Sequence, residues 1–158
     1  ISRERGISLI EVVVMIFVAT VLLFSIAEVA KISFRTFSVK KIEYRAVLYL
    51  NEGIEALHAM RDESWTTKIA PLTASTTYYV VPTANSWITS LINPGMLDGL
   101  FARTLVLQDV YRDTADAIAA SGAFDADTKK ATITVSWMAP TGSRSLWVDT
   151  YITNYLKN

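Results

Sequence analysis

The sequence predicts an α+β fold: a long N-terminal α-helix with a hydrophobic first half, packed through its second half on an antiparallel β-sheet head. Three observations predict it. Residues 7–27 form an apolar run with a single charge. No Gly or Pro occurs between Ile7 and Glu52, so nothing local stops a helix. Beyond residue 62, Pro and Gly punctuation and period-two alternation replace the helical pattern.

The chain has 158 residues, one domain's worth. Fifteen Lys and Arg balance fifteen Asp and Glu, which argues against a nucleic-acid binder with a strongly basic face. Apolar residues make up 51% and charged residues only 19%, below the quarter or so usual in soluble domains, and the excess is concentrated near the N-terminus. With no Cys, disulfides, thiolate metal sites, iron–sulfur clusters and cysteine nucleophiles are excluded. The lone histidine, His58, leaves little for a multi-His metal site or a His-dependent triad.

The run at 7–27, ISLIEVVVMIFVATVLLFSIA, has 21 residues and spans roughly 30 Å as a helix, the hydrocarbon thickness of a bilayer. It is too long for the apolar region of an ordinary signal peptide and no small-residue cleavage site follows it. It reads as a single membrane-spanning helix. Glu11 is its anomaly: an acid at mid-membrane costs about 2.5 kcal/mol or more, and less one turn from the end. Nothing basic lies three or four residues away. Its partner is then water, a headgroup, another chain or a charge created later. Snorkelling to the interface is the simpler role.

The segment Arg5-Gly6-Ile7-Ser8-Leu9-Ile10-Glu11-Val12 resembles the processing site of type IV prepilins and pseudopilins. The shared pattern is a short basic leader ending in Gly, an apolar residue after it, and Glu at the fifth position beyond the cut; Gly6, Ile7 and Glu11 match it. The resemblance implies that a membrane prepilin peptidase cuts between Gly6 and Ile7 and methylates the new Ile7 amine. It also implies intersubunit pairing, in which the Ile7 amine of one subunit meets the Glu11 carboxylate of its neighbour in a helical filament. A buried pair of this kind contributes little net stability but penalises misregister. Many members carry Pro near the end of the apolar run; here that neighbourhood reads Ile26-Ala27-Glu28-Val29, so a straighter helix is expected. Charge does not orient the span, because Arg3 and Arg5 precede it and Lys31, Arg35, Lys40, Lys41 and Arg45 follow. The cytoplasmic N-terminus comes from the resemblance.

One helix is expected from about 7 to about 62, on the order of 80 Å long. From Glu28 it turns amphipathic, with Phe34, Phe37, Val47, Leu50, Ile54, Leu57 and Met60 recurring largely at three and four. Its charges are read either as intersubunit ion-pair formers or as a solvated face. Gly53 costs about 1 kcal/mol against Ala and suggests close packing on the sheet. His58 reads as a packed or surface residue.

In the head, Ser64-Trp65-Thr66-Thr67 ends the helix and Pro71, Pro82 and Pro94 punctuate a Thr/Ser-rich stretch. Strands are expected at 78–81, 102–111, 130–138 and 144–155, with a polar loop at 112–128 and a turn at Pro140-Thr141-Gly142-Ser143. In the third strand Ala131, Ile133, Val135 and Trp137 alternate with Thr132, Thr134 and Ser136, the pattern of a half-buried strand. RTLVLQDVYRD, DADTKKATITVSW and TYITNYLKN also resemble, more weakly, the heads of V-type minor pilins.

No phosphate-binding loop, nucleophile elbow or metalloprotease motif is present, so no enzyme, catalytic residue, metal or cofactor is assigned. Asp109, Asp113, Asp116, Asp125 and Asp127 cluster between strands, read either as a Ca²⁺-binding loop or as Asx-type turns. The organisation expected is a leader at 1–6, a membrane and filament-core helix at 7–27, an amphipathic continuation at 28–62 and a β-rich head at 63–158. The resemblance implies a single-pass membrane protein before assembly and an extracellular filament subunit after it, in adhesion, surface motility or DNA uptake. Its implied partners are other copies and related pilins, prepilin peptidase, the inner-membrane assembly machinery and, before assembly, lipid; no nucleic acid is assigned as a partner. The rivals are a monomeric membrane-anchored extracellular binding domain and a pseudopilin of a type II secretion system.

Overall fold

A computed structural model describes residues 8–140 and 142–157. It is an α+β fold: a long N-terminal helix packed on a six-stranded antiparallel sheet. The leader at 1–6, Ile7 and Thr141 lie outside the described residues. The chain divides into two compact units, Ile1–Glu43 and Tyr44–Asn158.

Helix α1 (Leu9–Glu63) has 55 residues and begins in the first unit. The absence of Gly and Pro up to Gly53 lets the backbone ladder continue without a break. In the first unit no described residue is buried, and Phe34 and Phe37 of the expected amphipathic face stand exposed.

In the second unit α1 turns one face to a core. Ala46, Gly53, Ala56, Leu57 and Met60 are buried and fall on one side at helical spacing. The helix stops at Ser64, whose backbone is extended and whose hydroxyl caps the next turn by accepting from the Thr67 amide at 3.3 Å. That turn, Trp65–Ile69, is π-helical, closed by the Ala70 amide on the Trp65 carbonyl at 2.9 Å. The wider turn carries both Trp65 and Ile69 into the core.

The strands are β1 (Thr77–Pro82), β2 (Trp87–Ser90), β3 (Phe101–Arg112), β4 (Ile118–Ala119), β5 (Ala123–Ala139) and β6 (Gly142–Thr153). Their order is β2-β1-β3-β5-β6, with β4 on the end of β3, and every pairing is antiparallel. The meander β3–β5–β6 is the expected one, and the inward phase of β5 is the expected Ala131, Ile133, Val135 and Trp137. Leu105, Leu107, Ile133 and Ile152 are wholly buried against Leu57 and Met60; each such side chain is worth about 1.5–3 kcal/mol.

Two expectations need correction. The segment 112–128 is not one polar loop: β4 interrupts it, and β5 begins at Ala123, so Asp125 and Asp127 lie on a strand. The register between β3 and β5 jumps from Asp109↔Lys129 to Val110↔Asp125, a bulge that bends the strand at its polar end. The Thr/Ser-rich stretch also hides β2, tied back to β1 by a turn in which the Thr83 hydroxyl and amide both donate to the Ser86 carbonyl at 2.8 Å.

Candidate functional site

The candidate site is the start of α1 and its apolar segment. The Ser8 carbonyl accepts from the Glu11 amide at 2.9 Å and the Val12 amide at 3.3 Å, so the first turn closes just ahead of Glu11. This stretch of α1 is long and apolar enough to cross a membrane, and none of it is buried within the chain. The polar side chains in the run behave in two ways. Thr20 donates its hydroxyl to the Ile16 carbonyl at 2.7 Å and Ser25 to the Val21 carbonyl at 2.9 Å. Both satisfy themselves on their own helix, as a polar group in hydrocarbon must. Glu11 is exposed and has no ion-pair partner among the described residues. Between Leu9 and residue 27 it is the one polar side chain with no hydrogen bond or ion pair among the described residues. Gly6 and Ile7, the expected processing site, lie outside the described residues, so the arrangement of Ile7 about Glu11 is not described.

The charges beyond the run are partly used within the chain. Lys31 pairs with Glu28 at 2.6 Å and Lys40 with Glu43 at 2.8 Å, both one turn apart on α1. Arg45 reaches Asp98 in the head at 3.0 Å. Exposed pairs of this kind contribute little stability.

The aspartates expected as a cluster are divided among separate partners. Asp109 pairs with Lys129 at 2.7 Å, and Asp125 with Arg112 at 2.6 Å. Asp113 accepts from the Ala115 and Ala117 amides at 2.8 and 3.0 Å, an Asx-type turn. Asp127 is held by Lys157 and Asn154. Burial pushes the Asp125 carboxyl up, but hydrogen bonds from Arg112, Thr128 and the Asp127 amide outweigh it and leave the carboxyl below its ordinary range. The hydrogen bond from Lys157, then that from Asn154, lowers Asp127. Among the described residues no three His, Asp or Glu side chains are placed to hold a metal ion.

One serine sits beside a lysine. Lys68 donates to the Ser86 hydroxyl at 3.2 Å and to the Trp87 carbonyl at 3.1 Å, and pairs with Glu63 at 3.3 Å, while Ser86 donates to Glu63. The Ser86 hydrogen bond, then Lys68, holds the Glu63 carboxyl below its usual value. A lysine that activates a serine must accept its proton; here Lys68 donates to it, and the trio ties the end of α1 to the β1–β2 turn.

Sequence reasoning missed Arg103. It is only 4% exposed, its guanidinium lies 5.5 Å from the Trp87 ring centre, and it donates to the Tyr49 carbonyl at 3.2 Å. The available signal was its place in the inward phase of β3, between Phe101 and Leu105. His58 is half-buried on α1.

No family model, curated protein or solved structure matches this chain.

Proposed function

We propose that this chain is a non-enzymatic structural subunit of a type IV pilus-like filament. It is held in the membrane by the apolar half of α1, cut after Gly6 by a prepilin peptidase, and then extracted into a helical fibre of copies and related pilins. Neighbouring apolar helices replace lipid around residues 7–27, and the heads stand outside the cell, where they serve adhesion, motility or DNA uptake.

Glu11 carries the reading. Within the apolar run from Leu9 to residue 27 it is the one polar side chain that has no hydrogen bond or ion pair among the described residues, and it stands at the fifth place after the Gly6–Ile7 junction. Cleavage there makes a cation four residues away, and a staggered neighbour brings that cation to the acid. An unpaired carboxylate among packed helices costs several kcal/mol, so only the correct stagger removes the penalty.

The deciding measurement is mass spectrometry of the N-terminus of chain recovered from producing cells. A chain beginning at N-methylated Ile7 is expected. A retained Arg5-Gly6 leader overturns the reading in favour of an uncleaved membrane anchor.

A further inference from the structure

We propose that α1 carries a built-in weak point at residues 32–39, where its backbone ladder opens while the helix before and after stays closed. The inference uses the membrane-length apolar run and the packed second half of α1, and does not depend on filament assembly.

The sequence supplies the weakness. Residues 32–39 read ISFRTFSV, and Arg35 is the one strong helix former among them. The others are β-branched, aromatic or Ser, which lose rotamer freedom in a helix or compete for its backbone. The flanks differ: Glu28, Ala30 and Lys31 precede the segment, and Lys40, Lys41, Glu43, Arg45 and Ala46 follow it. The ion pairs divide in the same way. Lys31 meets Glu28 at 2.6 Å and Lys40 meets Glu43 at 2.8 Å, so a one-turn pair steadies the helix slightly at each end. Inside the segment no carboxylate stands three or four residues from Arg35.

The structure adds two features. Thr36 donates its hydroxyl to the Ile32 carbonyl at 2.9 Å, and Ser38 to the Phe34 carbonyl at 3.0 Å. A hydroxyl on a ladder carbonyl competes with the amide that should hold it, and such back-bonding loosens and bends helices. Every residue from 32 to 39 is also exposed, so no core contact offsets the poor propensity.

The neighbouring parts of α1 do not open as easily. The run at 7–27 is also rich in β-branched residues, and Thr20 and Ser25 back-bond in it, but an amide opened in hydrocarbon has no water to turn to. From Ala46 onward, opening pulls Gly53, Ala56, Leu57 and Met60 out of the core. Residues 32–39 escape both penalties, because they follow the apolar run and precede Ala46, the first buried residue of the helix. The helix can therefore bend or lengthen there while the span and the core stay intact.

The test is hydrogen–deuterium exchange of the full chain in detergent micelles, read by mass spectrometry of peptides across α1. The lowest protection in the helix interior is expected at the amides of 36–42, which bond the carbonyls of 32–38, with slower exchange at 14–27 and 50–62. The combined variant Ser33→Ala, Thr36→Ala, Ser38→Ala should slow exchange at 36–42 about tenfold and leave 50–62 unchanged. The variant Thr20→Ala, Ser25→Ala should leave the minimum where it is. Even protection from 28 to 62, a minimum elsewhere in the helix interior, or a minimum that the combined variant does not fill overturns the proposal.

Discussion

Gly53 on α1 lies directly over Arg103 on β3: a Cβ at position 53 stands 3.0 Å from the Arg103 Cδ and 3.0 Å from the Ile133 Cγ2. The helix rests on the sheet at this point because a hydrogen atom fits where a methyl group does not. Gly53 thus gives up helix propensity to let a buried arginine pass beneath it.

The first prediction concerns that contact. Gly53→Ala gains about 1 kcal/mol of helix propensity. Against it stands overpacking, about 1–3 kcal/mol, on an Ile133 side chain that is wholly buried and an Arg103 held by several partners. The expected net is a loss of about 1 kcal/mol, seen as a lower Tm of the full chain, with Gly53→Val lower still. An alanine variant more stable than the parent would mean that Arg103 moves aside freely.

Arg103 itself separates charge from volume. Its guanidinium meets the Tyr49 carbonyl at 3.2 Å, the Val80 carbonyl at 3.4 Å and Glu52 at 3.4 Å, while its Nε has no hydrogen-bond partner. These are long contacts for a desolvated charge, and such a charge contributes less than its contact list suggests. Arg103→Met keeps the stem under Gly53 and is expected to change stability by about 1 kcal/mol or less. Arg103→Ala leaves a cavity and is expected to cost about 3 kcal/mol. Denaturant unfolding orders the two, and equal losses would place the stabilisation in the charge.

The same residues show what the sequence made legible. β5 was readable from 130 to 138 because its inward residues are all apolar and its outward ones, Met138 apart, are Thr, Ser and Lys. Its first half, FDADTKK, has the composition of a loop; it is a strand because Arg112 and Asp109 on β3 pair with Asp125 and Lys129 across the sheet. Those are tertiary contacts, which local propensity does not encode. β2 has four residues, too few for alternation to register. Glu11 was legible because a lone charge in an apolar run needs no partner to be noticed. The spacing of Trp147 and Tyr151 puts both on one face of β6, but only the register against β5 decides that it is the open face.

Acid sensitivity should concentrate at the polar end of the sheet. Asp125 is depressed in the folded chain, so its contribution is fully present above the unfolded carboxyl value, about 4, and is lost as pH falls through the lower folded value. Thermal melts of the parent should therefore drop steeply below about pH 4. Asp125→Asn should be less stable at neutral pH, because Arg112 loses the nearer of its two carboxylate partners and keeps only the exposed Asp116, and flatter in acid. Parallel acid limbs in the two proteins would put the sensitivity on other carboxylates.

The proposed pairing makes Glu11 costly before assembly and necessary during it, and those two demands can be separated. Glu11→Ala removes a charge from the apolar run, so membrane insertion should be as efficient as in the parent or better. Assembly should fall, because every stagger of neighbouring helices then leaves the Ile7 amine equally unpaired and no register is preferred. Glu11→Gln keeps the shape and some hydrogen bonding without the charge, and should insert like the alanine variant while assembling weakly. The measurement is the ratio of filament recovered by shearing to chain left in the membrane fraction. A purely snorkelling Glu11 predicts that this ratio does not change, and an unchanged ratio in the alanine variant would remove the pairing from the account.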